Sequence, residues 1–267
     1  MPNDKQSSQP TDEANMPLIE HLVELRDRIL RALLVTLFIF LGLFYFANDI
    51  YNFVSLPIRE QLPEGTTMIA TDITATFFAP FKLTLVVAIF LAMPFILHQF
   101  WKFISPGLYA HEKKMAIPVL LLSILLFYSG IAFAHYVIFP LVMAFFTTVG
   151  PEFVSVTPDI SQYLSIALKL FFAFGLAFEI PVITMVLIWS GVASVESLSA
   201  KRPYIVVGCF VFGMLLTPPD PFSQSMLAIP MWMLFEVGLL FGRIGGKKSA
   251  TSDDTEENLP ENRGDQP

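Results

Sequence analysis

Charge is scarce in this chain: 15% of its 267 residues are Asp, Glu, Lys or Arg, where a water-soluble domain carries roughly 25%. Cysteine is almost missing. The single Cys209, set inside an apolar run, excludes an intramolecular disulfide and any paired-cysteine metal or redox motif. No Gly-x-x-x-x-Gly-Lys-Ser/Thr phosphate loop and no serine nucleophile elbow occur, and the four histidines (His21, His98, His111 and His135) lack metal-ligand spacing. An enzyme is therefore not expected, and neither is a bound cofactor or metal. An internal repeat is also missing, which removes the inverted duplication common among secondary transporters.

What the chain has in excess is apolar surface: 54% hydrophobic residues, 27 Phe and a mean hydropathy of +0.63. A soluble enzyme, a nucleic-acid binder and a disordered scaffold are all excluded by that composition, and an all-α integral membrane protein is expected. A bilayer core about 30 Å thick takes roughly 20 apolar helical residues. Six runs qualify as candidates: Ile29 to Ala47, Phe77 to Trp101, Ala116 to Phe139, Tyr163 to Ser190, Tyr204 to Leu216 and Phe222 to Phe241. The fifth is short, roughly 20 Å of helix. It is joined to the sixth by the tight turn Thr217-Pro218-Pro219-Asp220-Pro221, so the pair reads as a short helical hairpin. The first run follows a long polar stretch without a small-x-small cleavage pattern and reads as a retained span.

Cationic loops stay in the cytoplasm. Of the 16 Lys and Arg, all but Arg59, Lys82 and Lys169 fall on the side that holds both termini. Only Arg59 lies in an opposite loop, although the first two of these, Asn48 to Thr76 and Pro140 to Gln162, are the longest. Both termini are therefore expected in the cytoplasm, with Lys82 and Lys169 snorkelling toward the outer interface. Residues 1–16 and 244–267 have no apolar face and are expected to be disordered on either side of a six-helix domain over residues 17–243.

Candidate functional groups are acids that interrupt this pattern. Pro17 to Arg31 is helix-compatible, with Leu18, Leu22, Leu25 and Ile29 on one stripe and Glu20, Glu24, Asp27 and Arg31 on another face. Glu24 is either a binding group at the interface or the partner of Arg28 one turn on, and spacing alone favours the pair. Glu112, in the loop Lys102 to Lys114, stands just before the third span, where an acid also suits the helix dipole. Glu179 is different. It follows the charge-free run Leu170 to Phe178, and burying a carboxylate there costs at least about 2.5 to 3.5 kcal/mol, so a functional role is the better reading. Pro181 just after it is expected to bend the helix. Gln224 is expected to hydrogen-bond a neighbouring helix, Asp220 to cap the helix that follows it, and Glu236 to be a solvated interfacial acid.

Four separated segments then converge on one family. His21-Leu22-Val23-Glu24-Leu25-Arg26, Phe103-Ile104-Ser105-Pro106-Gly107-Leu108-Tyr109 with His111-Glu112, Phe174 through Glu179-Ile180-Pro181, and Lys201-Arg202-Pro203-Tyr204 through Leu216-Thr217-Pro218-Pro219-Asp220 together resemble TatC proteins. These are the polytopic subunits of twin-arginine (Sec-independent) translocases, and the likeness spans about Leu18 to Arg243. It implies a glove-like bundle of six transmembrane helices with the last two short and both termini cytoplasmic, in the cell inner membrane. It also implies a receptor for folded precursor proteins whose signal peptides carry paired arginines, driven by the proton-motive force. The partners implied are single-span TatB-like and TatA-like subunits, further copies of the chain and membrane lipid. By matching position, Glu24 and Glu112 become the signal-peptide-binding acids, Glu179 the intramembrane polar site and Asp220 the acid of the outer loop. Met214, Thr217 and Gln224 become contacts to partner subunits. Two adjacent guanidiniums suit two carboxylates from different elements, each able to accept a bidentate fork that Lys reproduces poorly. The rival reading is a proton-coupled small-molecule transporter using Glu179 as its proton site.

Overall fold

A computed structural model describes residues 11–59, 69–108, 116–148, 159–216 and 220–256. Among them the backbone is helical almost throughout. In chain order the helices are α1 (Thr11–Leu43), α2 (Ala47–Arg59), α3 (Ala75–Leu108), α4 (Ala116–Phe133), α5 (Phe139–Thr148), α6 (Ile160–Ala177), α7 (Ile180–Trp189), α8 (Val195–Ala200), α9 (Arg202–Leu216) and α10 (Pro221–Glu256). Five stretches are long and apolar enough to cross a bilayer: Glu20–Ser55, Ala75–Ile104, Ala116–Phe145, Ile160–Trp189 and Pro221–Ile244. The shorter apolar helix α9 makes the sixth, as the sequence predicts. Pro221–Ile244 is the shortest of the five, at 24 residues, so the last two spans are the short pair.

Several boundaries differ from expectation: helix continues past Trp101 to Leu108 in α3, and past Phe139 through α5 to Thr148, into residues expected as loops. Helix α1 already begins at Thr11, inside the segment expected to be disordered, because Thr-Asp-Glu is a helix-starting sequence with acids suited to the positive end of the dipole. Helix α10 continues past the apolar stretch to Glu256, where the sequence places an unstructured tail from residue 244. Propagation from a helix already nucleated in the membrane carries it past the glycine pair Gly245-Gly246, although Asp253, Asp254 and Glu256 near its end run against the helix dipole.

The helices pack as neighbouring pairs: α1 along α3, α4 along α6, α7 along α10, and α9 along α10. The buried centre is aromatic, with Phe127 of α4, Phe139 of α5 and Phe174 of α6 fully enclosed. By contrast Leu33, Leu34, Phe38 and Leu41 of α1 are exposed, a normal arrangement where the solvent is hydrocarbon. Between helices the contact is made by small residues. A Cβ on Gly130 would sit 2.5 Å from the Phe174 carbonyl oxygen, and one on Gly238 would sit 2.8 Å from Cα of Pro181. Backbones that close are held by dispersion, the main attraction left when lipid is as apolar as leucine.

Two spans depart from regular helix. Between α4 and α5 the residues Ala134–Ile138 form a π turn carrying His135. The fourth span breaks between α6 and α7 at Phe178 and Glu179, two residues before Pro181, which the sequence predicts as a bend. There the Glu179 N–H donates to the Leu176 carbonyl at 3.0 Å, a tighter turn than the helix on either side. Helix α2 is an addition to the expected fold, since its residues were assigned to a loop. Its Ile50, Tyr51 and Val54 turn inward while Asn48, Asp49 and Asn52 stay exposed, the 3-to-4 spacing of an interfacial helix. With α3, α4, the π turn and α6, it lines an open pocket of about 540 Å3 whose polar lining is confined to Asp49, Tyr128, His135 and Tyr136.

Opposite the termini, the segment before α3 is clasped to the start of α6. Asp159 caps α6 by accepting from Ser161 N–H and Gln162 N–H. It also accepts from Thr71 N–H at 2.9 Å and the Thr71 hydroxyl at 2.7 Å, while Ile160 N–H donates to the Ile69 carbonyl. These donors, Thr71 N–H first, favour the carboxylate and hold Asp159 at about 2, below its usual range.

Gly130→Ala is expected to destabilise the protein by about 1 to 3 kcal/mol, because the opposing atom is backbone and cannot swing away. Gly208→Ala, which meets nothing within 4 Å, should be neutral or stabilising; thermal unfolding in detergent separates the two. Because the folded-state value of Asp159 is depressed, its contribution is complete above about pH 4 and is lost as the pH falls toward 2. Hydrogen exchange at Ile160 N–H should accelerate over that interval, and Asp159→Asn should flatten the dependence.

Candidate functional site

The acids singled out in the sequence fall at three levels of the bundle. At the terminal end, Glu24 lies on α1 where that helix runs beside α3. It sits two turns after Pro17 on the polar face of the amphipathic stretch, so its carboxylate points away from the apolar stripe and is 41% exposed. Arg28, one turn on, donates from both Nε and Nη2 to Oε1 of Glu24, the former at 3.0 Å, and from Nη1 to Oε1 of Gln99 on α3 at 3.3 Å. The pairing read from spacing is therefore formed, and α3 joins it. His21 stacks on Phe103 of α3 with ring centroids 4.2 Å apart. Beyond α3 the chain continues to Glu112, which lies outside the described residues.

In the membrane, Glu179 occupies the break between α6 and α7 and is 6% exposed. Trp101 of α3 donates from Nε1 to the Ser123 hydroxyl of α4 at 2.9 Å, and Ser123 lies near enough to the Glu179 carboxylate to act on it electrostatically. A buried polar cluster thus sits among three spans. Oε1 of Glu179 has no hydrogen-bond partner among the described residues. The sequence showed the acid but not its supports, since a lone Ser and Trp in apolar runs carry no signal of their own.

The third level is the α9–α10 hairpin. Asp220 accepts from Ser223 N–H at 2.7 Å, so it caps α10 as expected, with Pro221 in the first helical position, where no N–H is needed. Gln224 donates from Nε2 to the Phe210 carbonyl at 2.7 Å, the expected bond to a neighbouring helix, and Gly213 lets the two helices approach there. Met214 is 48% exposed on α9. Thr217 lies outside the described residues. Glu236 overturns its sequence reading: it is no solvated acid but accepts a two-pronged contact from Arg202, Nε to Oε1 at 2.6 Å and Nη2 to Oε2 at 2.8 Å. Hairpin arithmetic would have found that pair, because Arg202 and Glu236 stand equally far from Pro219 at the turn.

Glu24, Glu179 and the hairpin residues are therefore not gathered into one cluster. No group of three or more His, Cys, Asp or Glu able to hold a metal occurs among the described residues. What the arrangement offers is an exposed carboxylate at one end of a polytopic helical bundle, a buried one within it, and a short hairpin with an exposed flank.

Such a bundle is a multi-pass membrane protein. The family model described as Sec-independent protein translocase protein (TatC) matches residues 20–230. The TatC protein of Azotobacter chroococcum mcd 1 is 58% identical over 236 residues, covering 88% of this chain and 92% of that protein. That of Escherichia coli (strain K12) is 54% identical over 231 residues, 86% and 90% of the two chains. A crystal structure of the twin arginine translocase receptor TatC superposes with a TM-score of 0.76 at 38% identity, over 84% of this chain and 98% of that one. The chain belongs to the TatC family and is a Sec-independent protein translocase component. The transporter alternative finds no support among these relatives.

Ser123→Ala should cost about 1 to 3 kcal/mol, because it strands the buried Trp101 N–H. Adding Trp101→Phe should return part of that loss, since one orphaned donor disappears with it. Denaturant unfolding of the two single variants and the double variant in detergent measures the coupling.

Proposed function

We propose that this chain is the signal-peptide receptor of a twin-arginine translocase in the cell inner membrane, with both termini in the cytoplasm. Glu24 carries this reading: an exposed carboxylate at the terminal end of α1, beside the α3 segment that leads directly toward Glu112. The solved relative is named as a receptor of that system, which supports it. Recognition needs no covalent chemistry, and the chain acts by binding rather than catalysis. Glu24 and Glu112 each take one guanidinium of the arginine pair, with planar donors matched to carboxylate oxygens and no equivalent fork available from Lys.

The remaining sites serve assembly and transport. Glu179, held at a helix break and only partly satisfied, gives a polar contact within the bilayer for the signal peptide or a partner helix. Met214, Thr217 and Gln224 receive single-span TatB-like and TatA-like subunits along the hairpin, and Asp220 fixes the turn that presents them. The proton-motive force drives passage of the folded precursor, and copies of the chain associate with each other in the surrounding lipid.

Photocrosslinking of a precursor with an Arg-Arg signal to membranes containing the full chain tests the recognition step. Glu24→Ala and Glu112→Ala should each lower crosslinking by about tenfold or more while leaving membrane insertion intact, as loss of a charge-assisted fork demands. Equal crosslinking in both variants would remove the proposed grip.

A further inference from the structure

Arg28 already does to Glu24 what an incoming arginine would have to do. Two of its nitrogens converge on Oε1 of Glu24, and a third donates to Gln99, so the guanidinium is bound along two edges by α1 and α3. Its side chain is 12% exposed against 41% for Glu24. The acceptor is thus the open member of the pair and the donor the enclosed one. Oε2 faces His21, whose Nδ1 lies 3.8 Å away, and Lys102 also acts on Glu24 through space. Asp27, three residues on, is engaged by Arg26 at 2.8 Å.

We propose that Arg28 is a specificity-determining residue: a resident guanidinium, anchored by Gln99 on one oxygen of Glu24, beside which an incoming side chain must be accommodated on the other. The proposal rests on the reading of Glu24 as a signal-peptide receptor and adds the reason that reading discriminates arginine from lysine.

Two physical effects follow from the resident cation. A carboxylate already neutralised by a guanidinium exerts little pull beyond a few ångströms in salt, so passing cations are not captured by charge alone. Then comes geometry. An ionised carboxylate has about four acceptor positions, and Arg28 draws on one oxygen only, which leaves Oε2 for a second partner. A guanidinium is planar and weakly hydrated and can approach that oxygen edge-on beside Arg28. An ammonium must shed a tightly held water shell next to a fixed positive charge, with no second prong to compensate. Selectivity therefore arises from a built-in repulsive element as well as from attraction.

The test uses the full chain reconstituted in lipid vesicles and two fluorescent signal peptides that differ only in carrying Arg-Arg or Lys-Lys. Arg28→Gln should tighten binding of the Lys-Lys peptide by about tenfold while changing the Arg-Arg affinity less, so the ratio between them falls. Gln99→Leu keeps the charge but frees the guanidinium, and should lower the ratio in the same direction by a smaller factor. Arg28→Lys should do likewise, and these two variants carry the test if Arg28→Gln fails to insert. An unchanged ratio, or a parallel loss of both peptides, overturns the proposal, because a merely structural Arg28 would act on both alike. Glu24→Gln in the same assay separates the two levels. If it leaves Arg-Arg binding intact, the receptor reading itself fails; if it abolishes binding while Arg28→Gln leaves the ratio unchanged, only the role of Arg28 is lost.

Discussion

Everything in this molecule follows from the absence of water around its backbone. A peptide group in hydrocarbon must find its partner inside its own segment, so apolar runs become helices and the bundle can tolerate irregular backbone only where protein encloses it. The two irregularities are packed on their inner sides. The π turn at Ala134–Ile138 has Ala134 and Ile138 buried, and the break at Phe178–Glu179 lies at the packed centre, with Gly130 pressed against the Phe174 carbonyl one turn before it.

The same constraint governs polar side chains, and several of those placed among apolar runs bond across to another span. Lys82 on α3 reaches the Ser165 hydroxyl on α6 at 3.2 Å, Gln224 uses a backbone carbonyl, and Arg202 meets Glu236. Each bond joins two different spans, so the polar groups act as registration marks between helices that dispersion alone would let slide. Glu179 differs in kind: its Oε1 has no partner among the described residues, as is also true of Trp189 Nε1, Ser199 Oγ, Ser223 Oγ and Asp220 Oδ2. Of these groups Glu179 alone is a carboxylate within a span, where an unpaired charge costs most, and this sets it apart from the structural polar residues.

The spans were legible because hydrocarbon thickness imposes a minimum length on them and because charge marks their ends. Pro181 announced the bend, and Asp220 and Gln224 were readable because capping and interhelical bonding are local rules. What escaped the sequence depends on proximity between distant segments. Helix α2 was hidden by its mixed composition, although Ile50 and Val54 carry the spacing. The Thr71–Asp159 clasp joins residues 88 positions apart, and neither is distinctive alone. The contact of Arg28 with Gln99 likewise needs the packing of α1 on α3, whereas its partnership with Glu24 follows from one helical turn. The pairing of Glu236 is not legible along its own helix, because its partner Arg202 lies across the hairpin.

The clasp between Ile69, Thr71 and Asp159 has a mechanical consequence. It ties the entrance of α3 to the entrance of α6 at one rim of the molecule, with three bonds between two chain segments. Rigid rods pinned together at one end separate only by fanning, and the displacement grows with distance from the pin. Any gap that opens between these spans is therefore widest at the far rim, where Gln99 and Trp101 of α3 lie, and narrowest beside Asp159.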